Sequence, residues 1–281
     1  MDCATRTNRV NGPSPRIRAR RATVSPDMRL PSRPALSLLM LLGLAAPAHA
    51  TLLETVGDAR APGDNRLLYR EQHLIRRDGD RPLERLVIYR CADGTAFARK
   101  RVDYRASTLA PDFELVDARG YREGLRREHG QTRVWHDDGA ARPLAAADAT
   151  LVADAGFDEF IRQRWAALAP GRTQALAFAI PAFGRSLSFK VHSAGDRTPT
   201  LRRFELKPGG VLGLVAPAIA VDYDVRDRSL RRFTGPTNIR DAKGRQIEAR
   251  IEFDGEPRPV DDEAQWRRLA TLPLGTCTPG R

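Results

Sequence analysis

Only three cysteines and four lysines occur among 281 residues, and no apolar stretch is long enough to cross a membrane as a helix. The apolar segment Leu36–Ala46 falls well short of the roughly 20 residues that a spanning helix needs. No Walker A run, G-x-S-x-G elbow, H-E-x-x-H pair or G-x-G-x-x-G turn is present. Their absence removes the motif-borne readings: phosphate loop, hydrolase elbow, zinc peptidase and dinucleotide fold. There is no internal repeat, low-complexity tract or Pro/Ser-rich linker either. "GAARPLAAADA" (Gly139–Ala149) is the softest boundary in what reads as one domain.

With so few lysines the positive charge is nearly all arginine. Eight Arg and two Asp lie in the first fifty residues, so half of the formal charge of +12 belongs to that segment. The remaining excess is scattered. Nucleic-acid binders gather basic residues on one face, often with stacking aromatics. Doublets such as Arg76-Arg77, Arg126-Arg127 and Arg202-Arg203 read instead as solvated strand edges, where charge discourages strand-to-strand aggregation. No nucleic-acid partner and no cofactor are indicated.

What is present begins with a leader. "PALSLLMLLGLAAPAHA" (Pro34–Ala50) has a short apolar core, Arg29 and Arg33 on its positive flank, and Ala48-His49-Ala50 at its end. That is the small-x-small pattern of a cleaved secretory signal. Residues 1–50 are therefore expected to be leader and residues 51–281 the mature chain, periplasmic or secreted. Thr51 follows the cut, so no lipoprotein cysteine is indicated, and Met28 offers a more compact start than Met1. Of the cysteines, Cys91 and Cys277 remain in the mature chain. In an oxidising compartment they are either a disulfide or two separate thiols.

Period two dominates the mature chain. "LERLVIYRC" (Leu83–Cys91) puts Leu83, Val87, Tyr89 and Cys91 on one face, with Arg85 interrupting it. "SLSFKVH" (Ser186–His192) and "IAVDYDV" (Ile219–Val225) alternate likewise, the latter turning Asp222 and Asp224 to water. Alternation of this kind describes antiparallel strands with one buried face. Asp-Gly at Asp78-Gly79 and Asp93-Gly94 marks hairpins, giving a three-strand meander from Arg66 to about Tyr104. "SAGDRT" and "VRDRS" bend the chain later. Leu230–Thr234 and Ile247–Phe253 form a further hairpin reversed by "DAKGR", with Pro236 ending the pairing and Asn238 and Asp241 in turn chemistry. Two helices are expected. One spans Asp154–Gly171, with Asp154 as N-cap, Asp158 and Glu159 in its first turn and a stripe of Phe157, Phe160, Ile161, Trp165 and Leu168. The other is "DDEAQWRRLA" (Asp261–Ala270), presenting Trp266 and Leu269. The fold expected is mainly β: a curved antiparallel sheet or open half-barrel with one or two covering helices.

Chemistry is faint. His129 and His136, beside Asp137 and Asp138, supply metal-ligand types, but a zinc site needs three or four well-placed ligands. A surface turn accounts for them. "DYDVRD" (Asp222–Asp227) lacks the Gly and the closing Glu of a calcium loop. "KPGGVLGLVAP" (Lys207–Pro217) lacks the Lys-Ser/Thr of a phosphate loop and reads as a bend or a cavity mouth. A curved sheet under an aromatic helix can leave an apolar cleft. Phe157, Phe160, Trp165, Phe178, Phe183 and Phe189 are the candidates for its wall, and the same residues would serve as plain core packing.

"LLYREQHLI", "CADGTAFARKRVDY" and "VDYDVRDRSLRRFTGPTNIRDAKGRQIEARIEF" resemble an uncharacterised family of exported proteobacterial proteins. In element order the chain is similar to LolA/LppX-type half-barrels, a resemblance that implies an acyl chain carried between sheet and helices. The leading expectation is accordingly a non-enzymatic envelope protein binding a hydrophobic ligand, a lipid or a lipidated component. The alternatives are a protein–protein interaction module and, behind it, a hydrolase or metal enzyme. Export predicts that the protein recovered from the periplasmic fraction begins at Thr51 on N-terminal sequencing; an uncut chain in the cytosol contradicts it.

Overall fold

The computed structural model describes residues 50–210 and 218–280. Residues 1–49 of the expected leader, 1–50, and most of the Lys207–Pro217 bend lie outside the described residues. The chain opens with an antiparallel meander: β1 (Thr51–Arg60), β2 (Leu67–Asp78), β3 (Arg81–Arg90), β4 (Ala96–Asp103), β5 (Asp112–Asp117), β6 (Arg122–Glu128), β7 (Gln131–His136) and the short β8 (Arg142–Pro143). A second run follows: β9 (Leu151–Ala153), helix α1 (Gly156–Leu168), β10 (Gln174–Ile180), β11 (Arg185–Thr198), β12 (Leu201–Pro208), β13 (Ile219–Asp224), β14 (Leu230–Arg240) and β15 (Gln246–Phe253). β16 (Arg258–Pro259) and helix α2 (Glu263–Ala270) close the series.

β1 joins the two runs, pairing with β2 on one side and β15 on the other, so that one sheet extends from β8 to β9 without hydrogen-bonding end to end. All its described ladders are antiparallel except β9 with β10. The fold is therefore the expected unclosed, curved antiparallel sheet. Its curvature is visible in the core. Val102, Phe113, Leu125 and Val134, from one end of the strand order, share a buried cluster with Ala153 and Ala179 from the other. Helix α1 lies within the curve. Phe160, Ile161, Trp165 and Leu168 form its buried stripe against Phe189, Phe204, Val221 and Tyr223, each such side chain contributing about 1.5–3 kcal/mol on burial. Gly156 lets the helix start against the chain, because a Cβ there would collide with the Leu109 carbonyl. The second helix covers the opposite, outer face, where Trp266 and Leu269 meet Leu52, Leu74, Leu86 and Ile88.

Several local expectations are corrected. The first helix is not capped by Asp154, which sits at φ 44° and directs its carboxylate elsewhere; Ala155 holds the cap position. "SAGDRT" does not end a strand: β11 runs through it, accommodating the extra residues as bulges between Ser193 and Gly195 and between Asp196 and Thr198. Pro236 still pairs with Glu248, and the ladder breaks after it before resuming at Arg240. Asp241 makes the expected turn bonds to the amides of Lys243 and Arg245, whereas Asn238 reaches across the interior to Asp154. The cysteines are joined as Cys91–Cys277 across 186 residues. The tail that carries Cys277 also hydrogen-bonds from Gly275 to Ala96 and from Gly280 to Leu68. In the chain-entropy model a loop of this length contributes about 4–5 kcal/mol. Reduction, or paired Cys91→Ala and Cys277→Ala, is expected to lower the urea midpoint markedly; an unchanged midpoint contradicts this.

Candidate functional site

Charged side chains occur on both faces of the sheet. Inside, Arg85, the residue that breaks the apolar face of β3, turns toward α1 and donates to Asp158 at 3.0 Å. Asp158 also accepts from Arg162 at 3.1 Å and from the Tyr223 hydroxyl at 3.1 Å. Arg162 pairs with Glu159 at 2.7 Å, and Arg77 approaches the same carboxylate at 3.6 Å. Burial opposes ionisation of Asp158, but Arg162 and Arg85 outweigh it and hold its pKa below the ordinary aspartate value. At Glu159 burial wins, and the pKa is raised despite Arg162. The two first-turn acids are thus the helix's anchor to β2, β3 and β13.

A second set lies further along the interior. Lys100 and Asn238 converge on Asp154 at 2.8 and 3.0 Å. His73 contacts Glu71 at 2.8 Å, and burial, opposed by Glu71, lowers the His73 pKa. Tyr121 donates to Glu123 at 2.6 Å and accepts from Arg240 at 2.7 Å. These groups have the types an acid–base site needs, yet each is engaged by a partner within the protein. None of Glu71, His73, Lys100, Glu123 and Asp154 lines the cavities described below. Lys100, Asp154 and Asn238, with Tyr121, Glu123 and Arg240, fasten the entry to α1 and β14 to the first half of the sheet, whereas Glu71 and His73 pair within β2.

The six aromatic candidates do not share one place. Phe160, Trp165 and Phe189 are buried in the cluster around α1, with Phe157 and Phe178 half-buried against it. Trp165 meets Phe204 edge-on at 5.2 Å, and Phe178 meets Phe189 at 6.0 Å. Phe183 is exposed on the turn Pro181–Phe183 and lines a small cavity with Val134, His136 and Arg142, at the gap between the two ends of the sheet. His129 occupies the β6–β7 turn at φ 49°, and the His136 ring meets Asp137 at 3.4 Å. Among the described residues no three His, Cys, Asp or Glu side chains are grouped as a metal ion requires. Asp222 and Asp224 do not face water as alternation implied. Both are buried on the outer face beneath guanidiniums: Arg203 grips Asp222 at 2.7 and 2.8 Å, and Arg226 holds Asp224 at 2.8 Å. Arg226 leads in depressing the Asp224 pKa.

The outer face of β3–β7 carries what the sequence reading missed. Cross-strand register aligns Glu84, Asp103 and Asp112 in one row. It aligns Arg101, Glu114, Gly124 and Trp135 in the next. Gly124 is required there, because a Cβ would strike the Trp135 ring. These rows, with Arg126 and with Trp266 and Ala270 of α2, line a groove of about 470 Å³. Arg126 lies 5.2 Å from the centre of the Trp135 ring, and Arg76 covers the Trp266 ring at 4.0 Å. Arg101 donates to the Ala270 carbonyl at the C-terminus of α2, tying the helix to the groove. Glycine opposite tryptophan was the signal available, but it acquires meaning only once β6 and β7 are in register.

No family model matches the chain, and no curated protein does. Among solved structures it is similar to a β-barrel-like protein of a domain of unknown function, DUF1849, from Brucella abortus. The TM-score is 0.48 and the identity 9%, over 75% of this chain and 99% of that one.

The interior carboxylates make a pH-dependent contribution. Burial raises the Glu123 pKa above its ordinary 4.5, against the pull of Tyr121 and Arg240. A raised folded value means that the native state keeps the proton longer than the unfolded chain. The stability from Glu123 is therefore complete below the unfolded pKa and lost as pH rises through the folded one. Glu123→Gln is expected to lose less stability than the parent between about pH 4.5 and pH 7 in urea titrations; parallel curves over that range contradict it.

Proposed function

We propose that the protein is a non-enzymatic binding protein of the cell envelope that takes its ligand on the outer face of β3–β7, not within the curve of the sheet. The observation that carries this reading is the groove between β7 and α2, where Trp135 and Trp266 stand among exposed charged side chains. Its volume of about 470 Å³ falls within the roughly 300–1,000 Å³ common for ligand sites. Export is supported by the leader pattern and by a disulfide between the two cysteines of the mature segment, since such bonds persist in oxidising compartments.

The half-barrel resemblance implies an acyl chain between sheet and helix, and the interior offers that ligand little. A chain entering there would displace Phe160, Trp165 and Phe189 from mutual contact in the core. It would also part α1 from Arg85, and Asp154 at the helix entry from Lys100, leaving charges buried and unpaired at a cost of several kcal/mol. No described helix is long and apolar enough to cross a membrane. A photoreactive benzoylphenylalanine placed at Arg126 in living cells is expected to yield a covalent adduct that the same residue at Lys190, on β11, does not. Identical adducts from both positions, or none from either, contradict the assignment of the groove.

A further inference from the structure

We infer that the groove on β3–β7 binds a neutral oligosaccharide, an inference that rests on the reading of the groove as the binding face. The lining combines four carboxylates, Glu84, Asp103, Asp112 and Glu114, with two guanidiniums on this face, Arg101 and Arg126, while the Arg85 guanidinium turns to Asp158 on the other face. Each carboxylate is paired with an arginine, through Arg76, Arg105, Arg127 and Arg122, and Arg126 and Arg101 are engaged by Glu128 and the Ala270 carbonyl, so an anion meets guanidiniums already in use. A phosphate or a nucleic-acid backbone would meet the carboxylate row Glu84–Asp103–Asp112, whose members stand directly opposite one another across three strands. An acyl chain would desolvate the charged lining without hydrogen-bonding it, which is unfavourable.

A sugar suits both parts of the surface. Its C–H face packs on an aromatic ring, and its hydroxyls donate and accept at short range. Trp135 is set for the first role. Its ring spans bare backbone at Gly124 and is bordered by Arg126, so the sheet holds it as a platform beside the groove. Trp266 stands on the α2 rim, held by Arg76 and by the apolar cluster beneath it. For the second role Glu114 engages Arg122 through Oε1 alone, and Arg101 engages Ala270 through a single Nη2. Acceptor and donor capacity therefore remain along the same cross-strand row, next to the indole.

The test titrates the purified exported protein with maltotetraose, cellotetraose, chitotetraose and, as a peptide comparator, tetra-alanine, by calorimetry and tryptophan fluorescence. At least one sugar is expected to bind with Kd below about 1 mM, and Trp135→Ala to weaken it by about tenfold or more. Trp135→Phe, which keeps a platform, is expected to retain most of the affinity, and Lys190→Ala all of it. Circular dichroism guards against unfolding, and the Phe variant carries the test if the Ala variant does not fold. Failure of every sugar at about 10 mM, while the Arg126 crosslink still forms, overturns the oligosaccharide and leaves the groove. Failure of both overturns both. Tetra-alanine bound more tightly than the sugars, or sugar binding indifferent to Trp135→Ala, also overturns the inference.

Discussion

The buried carboxylate of Asp158 is the interaction on which the rest of the structure turns. A sheet whose ends, β8 and β9, share no ladder cannot hold its curvature by backbone bonds alone. Apolar packing of α1 secures one flank, through Trp165, Phe204 and Tyr223. The other flank is secured by charge: Arg85 from β3 meets Asp158, Arg77 from β2 meets Glu159, and Lys100 from β4 meets Asp154 just before the helix. Hydrophobic contact is tolerant of sliding. A buried ion pair with three hydrogen-bonding partners is not, because misplacing it leaves a desolvated charge without compensation. Charge therefore sets where in the curve the helix sits.

This arrangement separates the two faces chemically. Inside, Asp158, Glu159 and Asp154 are held in structural ion pairs and Trp165, Phe204 and Tyr223 in mutual contact. Outside, α2 covers β1–β4 only in part, and the uncovered strands β5–β7 present Trp135 beside the groove. Both helices are positioned by arginines of the sheet. Arg99 and Arg101 reach carbonyls at or just past the C-terminal end of α2, where the helix dipole favours cations. The disulfide and the tail bonds at Gly275 and Gly280 then press the C-terminal segment onto β2–β4. The groove is thus built on strands and a pinned helix.

Much of the fold was legible because alternation reports a two-faced strand directly. Ile247, Ala249 and Ile251 face the core and Glu248, Arg250 and Glu252 the outside, as their order implies. The meander through Asp78-Gly79 and Asp93-Gly94 was legible for the same local reason. The failures share a cause: a polar residue was given a local role, as cap or turn, or was assigned to water. Arg85, Asp154, Asp158 and Asn238 are satisfied by partners from 54 to 84 positions away. Asp222 is covered by Arg203 from the neighbouring strand. Pattern along the chain carries no information about such partners. The groove was hidden similarly, since its rows are assembled across β3–β7 and its rim comes from α2, more than a hundred residues away.

The central claim is that α1 belongs to the core of the curved sheet, fixed there by Asp158, and is not a lid over a ligand cavity. Native-state hydrogen exchange tests it most directly, because local openings reveal themselves as amides faster than the global limit. The account predicts that the amides of Phe160–Trp165 exchange only through global unfolding, together with those of Leu86–Ile88 and Val221–Tyr223. Helix amides exchanging orders of magnitude faster than those strands would contradict it.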